Sequence, residues 1–407
     1  MKQNWDLSRH VPLATILLVS STLARAEEQT LTVEGTPSLG DTTEQTASYT
    51  TGETRAATGL TLSPQETPQS VSVLTRQRMD DQQLTSVQSA LEATTGITSR
   101  TLDSERVDFY SRGFSIDSFQ FDGVPTSFVN GASFLDTAFY DRIEVVRGAT
   151  GLLTGAGNPG ASVNLVRKRP SEVFQAHTTL SAGSWDNYRA MADVSVPLTE
   201  DGRVRARVVG SYQDRHSWLD RYQQKKQALY AVIDADLSDD TTLSVGYDAQ
   251  IIQPKGTTWG GVPRWYSDGS ETHWSRSVNS AANWSHWNNT LRTAFASLEH
   301  NFDNGWNLKT HFSQQRTESD AKLFSSLGYP DRNSGEGLIP IALASRASSR
   351  QNSLDVQTSG PFSLLGREHE MVMGLMLSKR ISDEYSSGFV YPSSPLGSIY
   401  QWNGDYP

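Results

Sequence analysis

The second half of the chain consists of segments in which apolar and polar residues alternate. In the segment 187–197, apolar residues occupy nearly every second position from Tyr188 to Val196, and the positions between them are mostly polar. A period of two residues predicts a β-strand with one apolar and one polar face. We count nine such segments, at 173–183, 187–197, 203–213, 227–236, 241–252, 289–301, 306–317, 350–358 and 368–380.

The connections between these segments alternate in length. Short turns lie at 201–202, 238–240, 303–305 and 361–367, and long loops at 214–226, 253–288 and 318–349. Only the first connection, 184–186, is short on the loop side. In an up-and-down barrel every second connection emerges at the same rim, which is the arrangement of outer-membrane barrels. A secreted sandwich or propeller has strands of the same period, but the alternation of loop lengths favours the membrane barrel.

The region 64–170 has a mixed pattern that predicts one small α+β domain. Thr85 followed by Gln88 predicts a capping box that begins a helix over 86–94, and Gly96 ends it. Short strands separated by glycine turns are predicted at 68–74, 119–121, 143–147 and 163–167. We therefore expect a membrane all-β protein with a compact α+β domain before the barrel strands.

The start of the chain has the features of an export signal. Two basic residues precede the apolar stretch 11–19, and Ala24-Arg25-Ala26 has the small-x-small spacing of a cleavage site. We predict that residues 1–26 are a signal peptide. Residues 27–63 are rich in Thr, Glu, Gly and Ser, and we expect this segment to be extended or mobile.

Composition excludes several classes of function. The 407 residues carry a formal net charge of −10 without a basic stripe, which argues against a nucleic-acid partner. Cysteine is absent, so disulfides, thiol nucleophiles and cysteine-ligated metals are excluded. No H-E-x-x-H or Gly-x-Ser-x-Gly motif occurs, and we predict no catalytic residue and no metal ligand.

Residues 155–160 match the pattern G-x-G-x-x-G. A dinucleotide site of this kind requires a helix directly after the glycines. Here Pro159 lies inside the motif, and 161–166 is predicted to be a strand. The pattern therefore favours a tight turn over a nucleotide site.

The nine segments are too few to close a barrel around a domain of about 100 residues. Barrels that contain such a plug have about 22 strands, and a membrane barrel cannot leave an open edge in lipid. We expect residues 171–407 to be the N-terminal part of a transmembrane antiparallel β-barrel, with about 9 to 10 of about 22 strands present. Alone, this part should not form a working pore.

Several motifs resemble those of the TonB-dependent outer-membrane receptors for ferric siderophores. In the first part of the chain these are Pro68-Gln69-Ser70-Val71, Tyr110-Ser111-Arg112-Gly113-Phe114, Asp122-Gly123-Val124-Pro125, and the run from Asp141 through Gly155–Gly160 to Lys168. In the barrel, 217–220, 259–265 and 298–302 look most like the ferripyoverdine and coprogen (hydroxamate) branch. The resemblance covers about 27–407 and implies an α+β plug domain inside the barrel, in the bacterial outer membrane.

The resemblance implies a receptor and active transporter, with no enzymatic activity. It would bind a ferric siderophore, of hydroxamate or pyoverdine type, and import it with energy transmitted by TonB together with ExbB and ExbD. Iron would stay in its chelate, so no resident cofactor is expected. The position of Gln29, Thr30, Leu31, Thr32 and Val33 resembles the TonB box. An extended segment there could add a strand to the sheet of a partner.

The resemblance also implies a latch between the plug and the barrel. Arg112 and Arg147 match arginines that pair with barrel-wall glutamates in the family, and those glutamates are expected beyond this sequence. The alternative is that both arginines serve other packing within the plug.

Candidate ligand contacts are aromatic. Trp259 and Trp265 belong to the loop 253–288, which holds five of the ten tryptophans. Aromatic rings match the flat apolar faces of an iron chelate. Phe114, Phe119 and Phe128 are expected to form the floor of the site on the plug.

Two other functions remain open from the sequence. A secreted all-β carbohydrate-binding protein or enzyme would turn its polar strand faces to water and, as an enzyme, carry a carboxylate pair in an aromatic cleft. The same fold could instead import haem, cobalamin or a glycan.

Overall fold

The computed structural model describes residues 42–128, 131–148 and 158–407. Two short helices and two small sheets come first, and a long meander of strands follows. None of the helices in these ranges is long and apolar enough to cross a membrane.

In the N-terminal domain, here called the plug, the described residues form eight strands and two α-helices. The helices are α1 (Arg76–Asp81) and α2 (Val87–Glu92), and the strands are β1 (Ser70–Leu74), β2 (Thr98–Thr101), β3 (Val107–Ser111), β4 (Phe114–Ser115), β5 (Ser118–Phe121), β6 (Val124–Thr126), β7 (Tyr140–Arg147) and β8 (Ala161–Arg167). Five of them form a sheet in the order β1-β7-β8-β5-β6, in which only β5 and β8 are parallel. The other three form a sheet in the order β2-β3-β4.

Helix α2 begins one residue later than the sequence predicts. Ser86, not Thr85, is the N-cap, and its side chain accepts a hydrogen bond from the backbone N–H of Ser89. The Ser89 hydroxyl in turn accepts from the Ser86 backbone, so a serine takes the role predicted for Gln88. The serine hydroxyl accepts from the N-cap N–H in place of the longer Glu or Gln side chain that is usual in a capping box.

The barrel part is a single antiparallel sheet of nine strands in sequence order. Its strands are β9 (Gln175–Gly183), β10 (Asn187–Pro197), β11 (Val204–His216), β12 (Gln223–Ser238), β13 (Thr241–Lys255), β14 (His286–Asn301), β15 (Asn307–Leu327), β16 (Ile339–Leu364) and β17 (Arg367–Ser386). The predicted up-and-down arrangement of nine strands is confirmed, and so is the fold class.

Strands β15 and β16 are much longer than predicted. They continue to Leu327 and from Ile339, so the loop expected over 318–349 shrinks to 328–338. Polar and charged residues occupy most outward positions in these extensions, such as Glu318 and Asp320. The alternation of apolar and polar residues therefore ends part of the way along these strands, although the backbone pairing between them continues.

The two faces of the large sheet differ as the alternation predicts. Outward residues are apolar and exposed, for example Leu180 and Tyr188, whose exposed fractions are 78% and 58%. Inward residues such as Asp193 and Gln250 are buried against the plug. The plug core is continuous with this wall, because Tyr230 packs in the same hydrophobic cluster as the plug side chains. The polar face of the strands that contact the plug is therefore turned towards the plug.

Candidate functional site

A buried ion cluster joins the end of the plug sheet to the barrel wall. Arg167 on β8 lies between Asp122 of the plug, 2.6 Å away, and Asp248 of β13, 2.7 Å away. Its guanidinium is also between the rings of Phe121 and Phe295, at 4.6 and 4.7 Å from their centres. Burial opposes the charge, but the two carboxylates raise the pKa of Arg167 above its ordinary value. The cluster holds one positive charge in a nearly dry setting.

A second ion cluster forms around Asp136, which is fully buried. Its carboxylate accepts hydrogen bonds of 2.5 and 2.8 Å from Arg189 of β10 and lies 3.8 Å from Lys226 of β12. Asp136 also caps the 3-10 helix Thr137–Phe139 by accepting from Ala138 N. Burial favours the neutral acid, yet Lys226 and Arg189 keep the pKa of Asp136 below its usual range. One carboxylate thus ties the plug to two wall strands, β10 and β12, which lie on either side of β11.

The segment that leads into the plug is tied to both the plug and the wall. Thr43 donates from its backbone N–H and its hydroxyl to Asp141 at the start of β7. Glu44 forms a bidentate pair with Arg207 of β11, with distances of 2.6 and 2.8 Å, and Arg207 also pairs with Asp193. The described part of the predicted mobile linker is therefore anchored at this point.

A plug loop docks on the loop side of the barrel. Ser104 and Thr258 exchange two hydrogen bonds of 2.9 and 3.0 Å between backbone N–H and hydroxyl groups. The guanidinium of Arg106 lies 5.3 Å from the ring centre of Trp287 at the start of β14. Thr258 directly precedes Trp259, so this loop contacts the chain beside a predicted ligand residue.

The carboxyl group of Glu105, in the same plug loop, contacts the barrel wall. It accepts a 2.9 Å hydrogen bond from the Tyr222 hydroxyl, and Gln224 lies 3.5 Å away. Burial raises the pKa of Glu105 to about 7, against the opposing effects of the hydrogen bonds from Tyr222 and Ser104. The protonation of this contact therefore changes near neutral pH.

The predicted tryptophans lie on the loop side of the barrel. Trp259 is half-buried, packs against the cluster around Trp287, and has its ring centre 5.7 Å from that of Phe389. Trp265 is 43% exposed, and the guanidinium of Arg264 lies 5.6 Å from its ring centre. Trp265 and Arg264 thus form an accessible pair of an aromatic ring and a cation, whereas Trp259 exposes only part of its ring.

The three plug phenylalanines fall in different environments. Phe114 is 50% exposed, while Phe119 is only 6% exposed and lies in the plug core. Phe128 packs edge to face against Phe119, with ring centres 5.8 Å apart. The structure brings Phe119 and Phe128 together as packing partners, because β5 turns Phe119 towards the sheet interior, and leaves Phe114 at the surface.

Arg112 and Arg147 lie close together on the plug. Arg147 donates to the Ser70 hydroxyl at 2.8 Å and to the Thr95 carbonyl. Burial and the nearby charge of Arg112 lower the pKa of Arg147. Among the described residues neither arginine has a carboxylate partner within 4 Å, so the latch stays a prediction. The TonB-box residues Gln29–Val33 and the signal peptide lie outside the described residues.

Sequence reasoning missed the plug–barrel ion clusters. Their signal was present in the strands, as charged residues at inward positions that should otherwise be uncharged or small. A buried charge requires a partner, so these positions predict opposite charges on the plug. The wall residues concerned are Arg189, Asp193, Arg207, Lys226, Asp234 and Asp248.

The described residues also bear on metal binding and on the glycine motif. Across 42–128, 131–148 and 158–407, no group of three or more His, Asp or Glu side chains could hold a metal ion. The segment 161–167 after the glycine motif is strand β8, as predicted, and Gly160 packs directly against the backbone of Phe114 and Ser115. Gly155 to Gly157 lie outside the described residues.

A small α+β plug tied by ion pairs to the polar face of an antiparallel sheet, with an apolar opposite face, defines the plugged outer-membrane barrels. Residues 63–162 match the family model of the TonB-dependent receptor plug domain. The chain belongs to the TonB-dependent receptors and is an outer-membrane protein.

Curated relatives and a solved structure agree with this assignment. The chain is 46% identical to the ferripyoverdine receptor of Pseudomonas aeruginosa over 84% of this chain and 42% of the relative. It is 40% identical to a ferric-pyoverdine receptor of Pseudomonas putida over 98% of this chain and 50% of the relative. The crystal structure of the Pseudomonas aeruginosa outer-membrane receptor bound to ferripyoverdine matches with a TM-score of 0.87 and 43% identity, covering 90% of this chain and 50% of that one. The chain thus spans about half the length of these relatives.

Proposed function

We propose that this chain is the N-terminal part of a receptor that binds a ferric siderophore on the loop side of the barrel and imports it. The observation that carries the proposal is the 46% identity to a ferripyoverdine receptor, which extends over plug and wall strands alike. A pyoverdine-type or other hydroxamate chelate is the favoured cargo. Iron remains in its chelate, and the protein supplies shape and charge instead of metal ligands.

Trp265 and Arg264 support a site for an anionic or polar aromatic ligand. An exposed indole beside a guanidinium offers a flat apolar surface and a hydrogen-bonding cation in one place. Arg264 is shared with Glu271, 3.1 Å away, so a ligand must compete with one exposed carboxylate. Phe114 contributes an exposed ring from the plug. Trp259 acts at the boundary between ligand and wall.

The docked plug loop offers a route from the ligand to the plug. Movement of Trp259 would reach Trp287, against which it packs, and then Arg106 on the plug loop. Displacing this loop would shift the population of plug conformations. On the other side, TonB, driven with ExbB and ExbD, would engage Gln29–Val33 by strand addition. Arg112 and Arg147 would then be released from partners on the rest of the barrel.

The test is iron-limited growth of a receptor-deleted strain that expresses the full-length gene product. Purified ferric pyoverdines, other hydroxamate siderophores, catecholate siderophores and haem would be supplied one at a time as the iron source, and cobalamin, which contains no iron, would be tested by its binding to whole cells. We expect growth on a ferric pyoverdine or another hydroxamate chelate. Growth on haem alone, or binding of cobalamin without growth on any siderophore, would refute the cargo assignment.

A second arm tests the TonB segment separately. Deleting residues 29–33 should abolish uptake while leaving binding of the ferric siderophore to whole cells unchanged, because docking and ligand binding use opposite sides of the barrel. A deletion of residues 50–54 would have the same length but would also break the pairing of Thr54 with Leu62, so it is not a suitable control. The control is instead a variant in which residues 29–33 are kept but their order is scrambled, so that the length of the segment is unchanged. Full uptake after the deletion would contradict the assignment.

A further inference from the structure

Three arginines stand side by side across three adjacent strands. Arg292 on β14 is the direct cross-strand partner of Arg316 on β15, which is the direct partner of Arg350 on β16. Residues opposite each other in an antiparallel pair have Cβ atoms only about 5 Å apart, and like charges there repel. Such a row is unfavourable unless an anion lies over it.

The row points away from the plug. Gln315, next to Arg316, faces inward and contacts the plug residue Thr126. Gln351, next to Arg350, also faces inward and donates to the Pro125 carbonyl at 3.0 Å. Neighbouring residues on a strand point to opposite faces. Arg316 and Arg350 therefore project outward, and both are exposed.

The row lies at the upper boundary of the apolar band. On the side of the short turns, Gln314 and Asn352 lie directly below the row, and the other outward positions of β14, β15 and β16 are mainly apolar, namely Ala294, Ala296, Leu298, Leu308, Phe312, Leu354 and Val356. On the side of the long loops, charged residues begin at once, with Glu318 next to Arg316 on the same face. In outer-membrane barrels the long loops are external. The row therefore sits at the level of the headgroups of the outer leaflet.

The surrounding surface is basic although the chain is acidic. From the arginine row to the loop side, the outward faces of β14–β17 carry five basic and three acidic residues, Arg292, Arg316, Lys322, Arg346 and Arg350 against Glu318, Asp320 and Asp383. Five minus three gives +2, whereas the whole chain has −10. This reversal is local to the membrane-facing rim.

Two of the three arginines, Arg316 and Arg350, have guanidinium groups that are available to an external anion. Arg292 is 3.4 Å from Glu318, and the neighbouring Arg346 is 2.9 Å from Asp320. Within the described part of the chain, Arg316 and Arg350 have no carboxylate within 4 Å. The centre of the row is thus open to an external anion.

We propose that Arg292, Arg316 and Arg350 bind the phosphorylated headgroup of an outer-leaflet glycolipid, the lipid A part of lipopolysaccharide. Guanidinium groups match phosphate oxygens in bidentate geometry and tolerate partial desolvation better than ammonium groups. The acyl chains would run along the apolar surface below the row, over Phe312 and Leu354, which are 47% and 38% exposed. The phosphate of the headgroup relieves the repulsion among the three arginines. Because the acyl chains also bind to the apolar surface, the site distinguishes a phosphorylated lipid from free phosphate.

The test uses the full-length receptor purified from outer membranes and depleted of bound lipid in detergent. Binding of purified lipid A in micelles is measured for the wild type, for R316Q and for the triple variant R292Q/R316Q/R350Q. We expect about threefold weaker binding for R316Q and more than tenfold weaker binding for the triple variant, because each lost guanidinium removes charge-assisted hydrogen bonds. R203Q, at the opposite rim, is the matched control and should bind like the wild type.

Two further measurements keep the proposal open to refutation. The β-sheet circular dichroism spectrum and the heat-modified mobility of the triple variant establish that the barrel is folded. Inorganic phosphate and dephosphorylated lipid A are tested against the wild type, and neither should compete. Wild-type affinity in a folded triple variant, or equal binding of inorganic phosphate, would overturn the proposal. Siderophore binding is unaffected in either case, so this result is independent of the proposed cargo.

Discussion

Arg167 of the plug and Asp248 of the barrel wall lie 2.7 Å apart, and each side chain is only 3% exposed. A charge pair at this depth is costly to assemble, and removing one partner is more costly still because the other charge stays buried. The pair therefore fixes where the plug sits against β13. The position of the plug is therefore sensitive to the substitution of either residue.

Replacing Arg167 with methionine should loosen the plug strongly. Asp122 and Asp248 would be left as two buried carboxylates without their shared cation, at a cost of about 3–5 kcal/mol. Denaturant unfolding of the receptor in detergent, followed by limited proteolysis of the plug, would measure the change. R203Q breaks an exposed pair and should change the free energy of unfolding by less than about 1 kcal/mol. Equal stability of the two variants would contradict the role of Arg167.

The contact of Glu105 with Tyr222 should depend on pH near neutrality. The folded pKa of about 7 exceeds the value of an unfolded glutamate, so the folded state binds the proton more tightly. The contribution to stability is then fully present below about pH 4.5, falls as the pH rises, and is lost above about pH 7. Hydrogen exchange of the amides of residues 102–107 at pH 5.5 and 7.5, corrected for intrinsic rates, would measure the effect.

The variant E105Q separates titration from shape. A glutamine keeps the acceptor oxygen for Tyr222 but has no proton to lose, so protection of this loop should be the same at both pH values. The loop should also be more protected than in the wild type at pH 7.5. A pH dependence that persists in E105Q would show that a group other than Glu105 causes the effect.

A methyl group at Gly160 should disturb the plug. The added carbon would lie 2.9 Å from the Ser115 carbonyl oxygen and 3.0 Å from that of Phe114, and backbone cannot yield as a flexible side chain can. We expect G160A to lower the free energy of unfolding by about 1–3 kcal/mol. G261A is the matched control, because nothing lies within 4 Å of its added carbon. Similar thermal unfolding of both variants would show that β4 can move aside.

Removing the exposed indole of Trp265 should weaken ligand binding. Loss of a stacking surface beside Arg264 is expected to raise the Kd for a ferric pyoverdine about tenfold, or about 1.4 kcal/mol. Fluorescence quenching on whole receptor would measure the Kd. Trp185, which is 54% exposed at the connection of β9 and β10, provides the control variant W185A. Unchanged binding in W265A would move the site away from this loop.

The sequence predicted the sheet better than it predicted the contacts. Alternation identified all nine wall strands because burial on one face and lipid on the other impose a period of two. The ends of β15 and β16 were missed, since outside the membrane both faces are polar and only hydrogen bonding maintains the strand. Phe119 shows a second limit: a phenylalanine near a predicted apex can face the core or the solvent, and only the direction of β5 decides.

The ion clusters show a third limit. Pairing partners such as Glu44 and Arg207 are 163 residues apart in the chain, and composition alone cannot say which charges meet. Inward charges on the wall do predict that partners exist on the plug. The partner itself depends on how the plug is rotated within the wall, and this depends on the whole shared core.

The double attachment at Thr43 and Glu44 determines how a mechanical load would enter the molecule. Traction applied from the N-terminal side meets Arg207 of the rigid wall at the same place as Asp141 of β7. Thr43, which comes first along the chain, passes part of the force directly to β7 of the plug sheet, and the bidentate pair of Glu44 with Arg207 passes part of it to the barrel wall. A pull from this side therefore has to break a contact with the wall as well as a contact with the plug before the segment comes free.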